Sequence, residues 1–168
     1  MRHVARRISG SAAVPAENPS EALVIRPATP ADLDALVGLE ARFPGDRLSR
    51  RAWRRHLASP RSLCLVAAGN SDLLGDVLLL RRADSRWWRL YSLVRSPSAP
   101  AGTGRRLLEA ALAAAEAAGA AGVRLEVRGD NRSAIALYRS LGFTLFSTVD
   151  GYYEDGAMAL RMALAFAE

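Results

Sequence analysis

Residues 122–143 read GVRLEVRGDNRSAIALYRSLGF, and the hydrophobic period changes halfway along. Over the first seven residues apolar and polar positions alternate. Val123, Leu125 and Val127 point one way, and Arg124, Glu126 and Arg128 the other, as in a strand with one buried face. After Gly129 and Asp130 the spacing becomes helical, with Ala134, Leu137, Tyr138 and Leu141 at i, i+3, i+4 and i+7. Asn131 stands at the N-cap, where its side chain can accept a first-turn N–H. Gly142 ends the helix.

Upstream lies SPSAPAGTGRRLLEAALAAAEAAG, residues 96–119. Leu107, Leu108, Ala111, Leu112 and Ala115 form one stripe of a helix expected over 103–118. Gly102 and Gly104 sit where that helix should begin, although glycine inside a helix costs about 0.5–1 kcal/mol against alanine. Either the chain needs room to turn there, or something approaches its backbone closely. A helix opening with free N–H groups attracts anions. Arg105 and Arg106 oppose the helix dipole in the first turn, which a bound phosphate would offset. From the residues alone, both readings stand.

The strand RWWRLYSLV (86–94), this helix and the strand 122–128 make a crossover, which requires a parallel pair. The remaining segments are antiparallel in character. ALVIRP (22–27) reads as a strand. TPADLDALVGLEARF follows as a helix capped by Thr29, with Pro30 at its first position and Asp32 completing a capping box. A second helix starts at the Ser49 cap, buries Trp53 and Leu57, and stops at Pro60. SLCLVAA (62–68) and LLGDVLLLRR (73–82) enter a meander with strand 86–94, and FTLFSTV with AMALRMALAF closes the chain. The order β-α-α-β-β-β-α-β-α-β-β predicts a mixed α/β (α+β) fold. Its three layers are a mostly antiparallel sheet with a central parallel pair, and helices on both sides.

The 168 residues suit one domain, expected over 22–168, with residues 1–21 a flexible extension. That extension starts with basic residues but lacks the apolar core of a secretory signal. No apolar run approaches the ~20 residues of a membrane span. One cysteine, Cys64, and two separated histidines provide neither a disulfide framework nor a metal site, which fits a cytoplasmic protein. The net charge of +6 comes from arginine alone, since the chain has no lysine. Without aromatic–basic interleaving or a helix-turn-helix pattern, the charge argues for a phosphate-bearing ligand or acidic partner rather than nucleic acid.

LEVRGDNRSAIALYRSLGF (125–143) resembles the cofactor-side motif of the GCN5-related N-acetyltransferase (GNAT) superfamily. LYSLVRSPSAPAGTGRRLLEAAL (90–112) resembles its other signature, the strand, turn and helix that hold acetyl-CoA. The resemblance covers about residues 23–166 and is strongest to the ribosomal-protein-alanine and protein N-terminal acetyltransferases. It implies that the backbone of Leu93, Val94 and Arg95 pairs with the pantetheine arm. The N–H groups of Ala101, Gly102, Thr103, Gly104 and Arg105 would then cradle the pyrophosphate. Asn131 would hydrogen-bond the cofactor, although capping accounts for it equally well. In that subgroup Glu126 would be the general base and Tyr138 the acid that protonates the departing thiolate. A surface Glu paired with Arg124 or Arg128, and a tyrosine packed on the helix stripe, are the alternatives from spacing alone.

GYYEDGAMALRM (151–162) resembles the C-terminal hairpin of the N-terminal acetyltransferases, implying that Tyr152 and Tyr153 flank the acceptor's backbone. Phe43, in the segment facing that hairpin, would be a further acceptor contact. Ala99, Pro100 and Ala101 depart from the family's turn. Pro100 removes a donor, which predicts a weaker grip on the cofactor and leaves an acyl-CoA-binding regulatory module open. Amine chemistry separates the acceptors. An α-amine titrates near 8 and a lysine near 10.4, so a single carboxylate has less to do for a protein or peptide N-terminus. A small-molecule amine is the alternative acceptor.

Overall fold

The computed structural model describes residues 23–43 and 47–167, so the extension expected over 1–21 lies outside the described residues. Strand β1 (Val24–Pro27) leads into a 3-10 turn at Pro30–Asp32 and then helix α1 (Leu33–Ala41). The turn is fixed by charge: the Asp32 carboxylate accepts the Thr29 N–H at 2.8 Å and two Arg26 bonds of 2.8 Å. Helix α2 (Arg50–Ala58) begins where Ser49 Oγ accepts the Ala52 N–H at 3.1 Å. The meander follows as β2 (Ser62–Ala68), β3 (Leu73–Arg81) and β4 (Trp87–Arg95). Then come α3 (Thr103–Ala117), β5 (Gly122–Arg128), α4 (Arg132–Ser140), β6 (Thr144–Val149) and β7 (Ala159–Ala165).

The strands form one sheet in the order β1-β2-β3-β4-β5-β7-β6. Every pairing is antiparallel except β4 with β5, as the crossover requires. Alternation along the strands divides the core between two faces. Leu65, Ala67, Val77, Leu79, Leu125 and Val127 pack with Leu107, Leu108 and Ala111 of α3 and Ala134 and Tyr138 of α4. Cys64, Val66 and Leu78 point to the other face, under Leu36 of α1 and Trp53 of α2. Leu36 and Trp53 are wholly buried, as are most members of the larger cluster.

Strand β4 departs from simple alternation. Its register against β3 passes from Leu79↔Leu90 to Leu78↔Ser92, so Tyr91 is an extra, bulged residue. The bulge lets Leu90 and Leu93 share the α3 side, while Tyr91 packs on the α1–α2 side. It lies just past the last rung of the parallel pair, Arg89↔Arg124. At the other end of that pair Gly122 faces Trp87. A Cβ on Gly122 would stand 2.5 Å from the Trp87 ring and collide with the Leu164 carbonyl, so glycine lets the crossover dock there.

Candidate active site

Only three rungs join β4 to β5: Trp87↔Gly122, Trp88↔Val123 and Arg89↔Arg124. Beyond them the two strands run on to Arg95 and Arg128 without pairing, so the sheet opens between them. Leu93 and Val94 are wholly buried and ladder only to β3, at Val77 and Asp76; Arg95 pairs with Gly75. Among the described residues no strand pairs with the other edge of β4 at these positions, the edge on which a pantetheine arm was expected.

Downstream of that edge the chain makes two tight turns. Ala99 donates its N–H to Ser96 O at 3.0 Å, and Pro100 O then accepts both the Thr103 N–H (3.2 Å) and the Thr103 hydroxyl (2.7 Å). Pro100 thus removes one donor and supplies the carbonyl that ties down the first turn of α3. Gly102 is the N-cap with φ 85°, a left-handed conformation that favours glycine. The first helical bond runs from Arg106 N–H to Gly102 O at 3.0 Å. The N–H groups of Gly104 and Arg105 therefore open the helix without a carbonyl a turn behind them. With Ala101 and Gly102 exposed beside them, these donors suit a diphosphate.

Glu126 and Tyr138 lie on opposite sides of the sheet. Leu125 and Val127 face α3 and α4, so Glu126 faces the α1–α2 side. Its Oε2 accepts Arg89 Nε at 3.1 Å and sits 2.8 Å from Arg89 Nη2. Arg161, directly across the β5–β7 ladder, brings its Nε to 3.8 Å from Oε1. The partner is thus neither Arg124 nor Arg128 but a residue 37 positions earlier. Arg89 Nη2 also donates to the Tyr152 hydroxyl at 3.3 Å, tying the β6–β7 connection to the Glu126 carboxylate through Arg89.

Tyr138, on α4, is wholly buried in the main core, its ring centroid 5.7 Å from that of Phe143. Its hydroxyl has no hydrogen-bond partner among the described residues. Burial, with the nearby Tyr153 adding to it, pushes this phenol above the usual tyrosine range and keeps it protonated. Asn131 does cap α4: Oδ1 accepts the Ala134 N–H at 3.2 Å. Its buried Nδ2 has no partner among the described residues, so capping uses only half of the amide. Such orphaned buried groups are rare, and they suit a ligand that supplies the missing acceptors.

Tyr152 and Tyr153 pack edge to face, centroids 5.1 Å apart. Tyr153 is 7% exposed, and its hydroxyl also lacks a partner among the described residues. Arg128 lies over its ring at 4.7 Å and is itself held by Asp130 (3.2 Å) and Asp155 (2.6 Å). Phe43 is buried against Leu39 and Val94, so it touches the site through the residue expected to line the cofactor. Sequence reasoning missed Arg89 and Arg161. The available signal was a charge inside an apolar strand, Arg89 in RWWRLYSLV and Arg161 in AMALRMALAF.

The chain matches the acetyltransferase (GNAT) family over residues 33–143. It belongs to that family. Two mycobacterial relatives place this acetyltransferase-family chain more closely. The N-alpha-acetyltransferase RimI of Mycobacterium tuberculosis is 35% identical over 149 residues, covering 85% of this chain and 92% of that protein. An uncharacterized Mycobacterium leprae protein, ML0378, is 36% identical over 150 residues; the chain spans only 41% of its length. Among solved structures, the ribosomal-protein-S18-alanine N-acetyltransferase of Escherichia coli superposes with a TM-score of 0.79 at 28% identity. That match covers 88% of this chain and 96% of the other. Among the described residues no His, Cys, Asp and Glu group could hold a metal ion, and no helix is long and apolar enough to cross a membrane.

Proposed function

We propose that this chain moves an acetyl group from acetyl-CoA directly to the α-amine of a protein or peptide N-terminus, in the cytoplasm. One observation carries the reading. The Glu126 carboxylate stands on one face of the sheet, two residues past the last β4–β5 rung, and the buried Tyr138 phenol, without a hydrogen-bond partner among the described residues, stands on the other. The opening is the route by which two reactants, one from each face, can meet. When bound, acetyl-CoA supplies the activated acetyl group and a thiolate leaving group.

The chain's own residues do the rest. The N–H groups around Gly102–Arg105 hold the diphosphate, and the free edge of β4 at Leu93–Arg95 aligns the arm. Glu126 Oε1, the oxygen not hydrogen-bonded to Arg89, takes the proton of the acceptor amine. Tyr138 holds its proton until a thiolate forms, because burial disfavours the phenolate. Tyr152 and Tyr153 flank the incoming chain end. An α-amine, titrating near 8, asks less of a single carboxylate than a lysine, titrating near 10.4. The identity with an N-alpha-acetyltransferase over most of both chains supports the same acceptor class. Residues 22–168 would form the single catalytic domain.

Thiol release from acetyl-CoA over a panel of N-terminal peptides, lysine peptides and small amines tests this. Turnover confined to α-amines of peptides is the expected result. Turnover only with small amines would overturn the acceptor class, and binding without turnover on any acceptor would overturn the enzyme.

A further inference from the structure

Arginines Arg89, Arg124, Arg128 and Arg161 stand on the Glu126 face of the sheet, and the first three make hydrogen bonds or ring contacts. Arg128 is held by Asp130 and Asp155. Arg124 lies over the rings of Trp87, at 4.3 Å, and Phe146, at 5.7 Å. Arg89 donates to Glu126 and to Tyr152. Arg161 differs. It is the direct cross-strand neighbour of Glu126, its side chain is 42% exposed, and its Nε stays 3.8 Å from Oε1. That separation exceeds a hydrogen bond, and the guanidinium has no hydrogen-bond acceptor among the described residues.

Oε1 is also the oxygen left to meet an acceptor amine. Any N-terminus delivered there arrives beside a cation, which repels the ammonium form and further basic residues. Cross-strand neighbours stand about 5 Å apart, and an extended peptide advances about 3.3–3.6 Å per residue. The second or third residue of an acceptor therefore comes within reach of Arg161. A carboxylate there would engage the planar fork of donors.

Resting on the acetyltransferase reading above, we propose that Arg161 is a specificity-determining residue. It selects N-termini that carry an aspartate or glutamate one or two residues after the reacting α-amine.

The test uses peptides identical except for Asp, Ala or Lys at the second or the third residue, with kcat/KM read by thiol release. An acidic peptide should exceed its lysine counterpart by about tenfold or more, the scale of one good charge-assisted pair. The ratio should shrink as salt rises. Arg161→Gln should bring it within about twofold of unity, and Arg161→Glu should invert it. Equal kcat/KM for all peptides in the wild type overturns the proposal, as does a ratio that survives in Arg161→Gln. If Arg161→Gln no longer binds acetyl-CoA, the salt series on the wild type decides, and a ratio indifferent to salt overturns it. Equal rates across the series sink the selectivity alone. Absence of thiol release from every peptide sinks the N-terminal reading and the selectivity with it.

Discussion

Glu126 and Tyr138 are twelve positions apart in the chain and on opposite faces of the sheet, separated by strand β5 itself. Neither side chain can reach the other's face through a closed sheet. The parting of β4 from β5 beyond Arg89↔Arg124 gives them common ground, and the bulge at Tyr91 lies beside that parting. In the proposed mechanism this keeps the proton acceptor and the proton donor on separate faces of the sheet, where they cannot hydrogen-bond each other directly.

Glu126→Gln should lower kcat by about 100-fold, within the range general-base catalysis contributes. Calorimetry should find acetyl-CoA affinity little changed, since the N–H groups proposed to hold the diphosphate lie at the start of α3. The change also leaves Arg89 and Arg161 facing each other without an anion, so a loss of about 1–3 kcal/mol in denaturant unfolding should accompany it.

Tyr138→Phe should move activity and stability in opposite directions. The hydroxyl it removes is buried and unpartnered, so the folded state should gain about 1 kcal/mol, or a melting point higher by about 2–4 °C. Turnover should fall by tenfold or more while acetyl-CoA still binds. A Phe variant that is more stable and equally active would remove Tyr138 from the chemistry.

At alkaline pH the two buried phenols should destabilise the fold. Burial raises the folded-state pKa of Tyr138 and of Tyr153 above the ordinary tyrosine value. Each contribution is therefore complete below about pH 10, the unfolded value, and is lost as pH climbs from there through the folded value. Unfolding free energies measured between pH 8 and 11 should decline above about pH 10. The slope should be shallower in the Tyr138→Phe, Tyr153→Phe double variant.

At acid pH the capping carboxylate sets the trend. The Arg26 hydrogen bonds, aided by the Thr29 N–H and outweighing burial, hold Asp32 below the usual carboxylate range. Its stabilisation is present above the unfolded value of about 3.9 and is lost as pH falls through the folded value. Asp32→Asn should cost about 1–3 kcal/mol at pH 7, as the loss of hydrogen bonds to a charged group does. The gap between variant and wild type should close below about pH 4.

Gly102→Val should weaken cofactor binding and stability together. A Cβ at Gly102 would meet no neighbour within 4 Å, so crowding is not the difficulty. The cost is the left-handed backbone at φ 85°, about 1–3 kcal/mol for a β-branched residue, or a shift of the turn that carries the free N–H groups. Melting temperature and the dissociation constant for acetyl-CoA read the two effects. An unchanged constant with a lowered melting point would return Gly102 to a purely structural turn.

The sequence by itself determined whatever depends on near neighbours. Alternation over 123–128, the Asn131 cap, the stripe through Ala134 and Tyr138, and the glycine before α3 are consequences of local geometry. Strand and helix periods and capping bonds span only a few residues. They were enough to order the elements, to place the parallel pair and to make the two family motifs recognisable. What only the tertiary structure decided is everything that joins distant segments. The extra residue at Tyr91, the engagement of Glu126 by Arg89 and Arg161, and the isolation of the Tyr138 hydroxyl depend on register and packing across β3, β4, β5 and β7. Spacing along the chain offered Arg124 and Arg128 as partners for Glu126. Register brought in two arginines from neighbouring strands instead, because a strand's nearest charges lie across the ladder rather than along its own backbone.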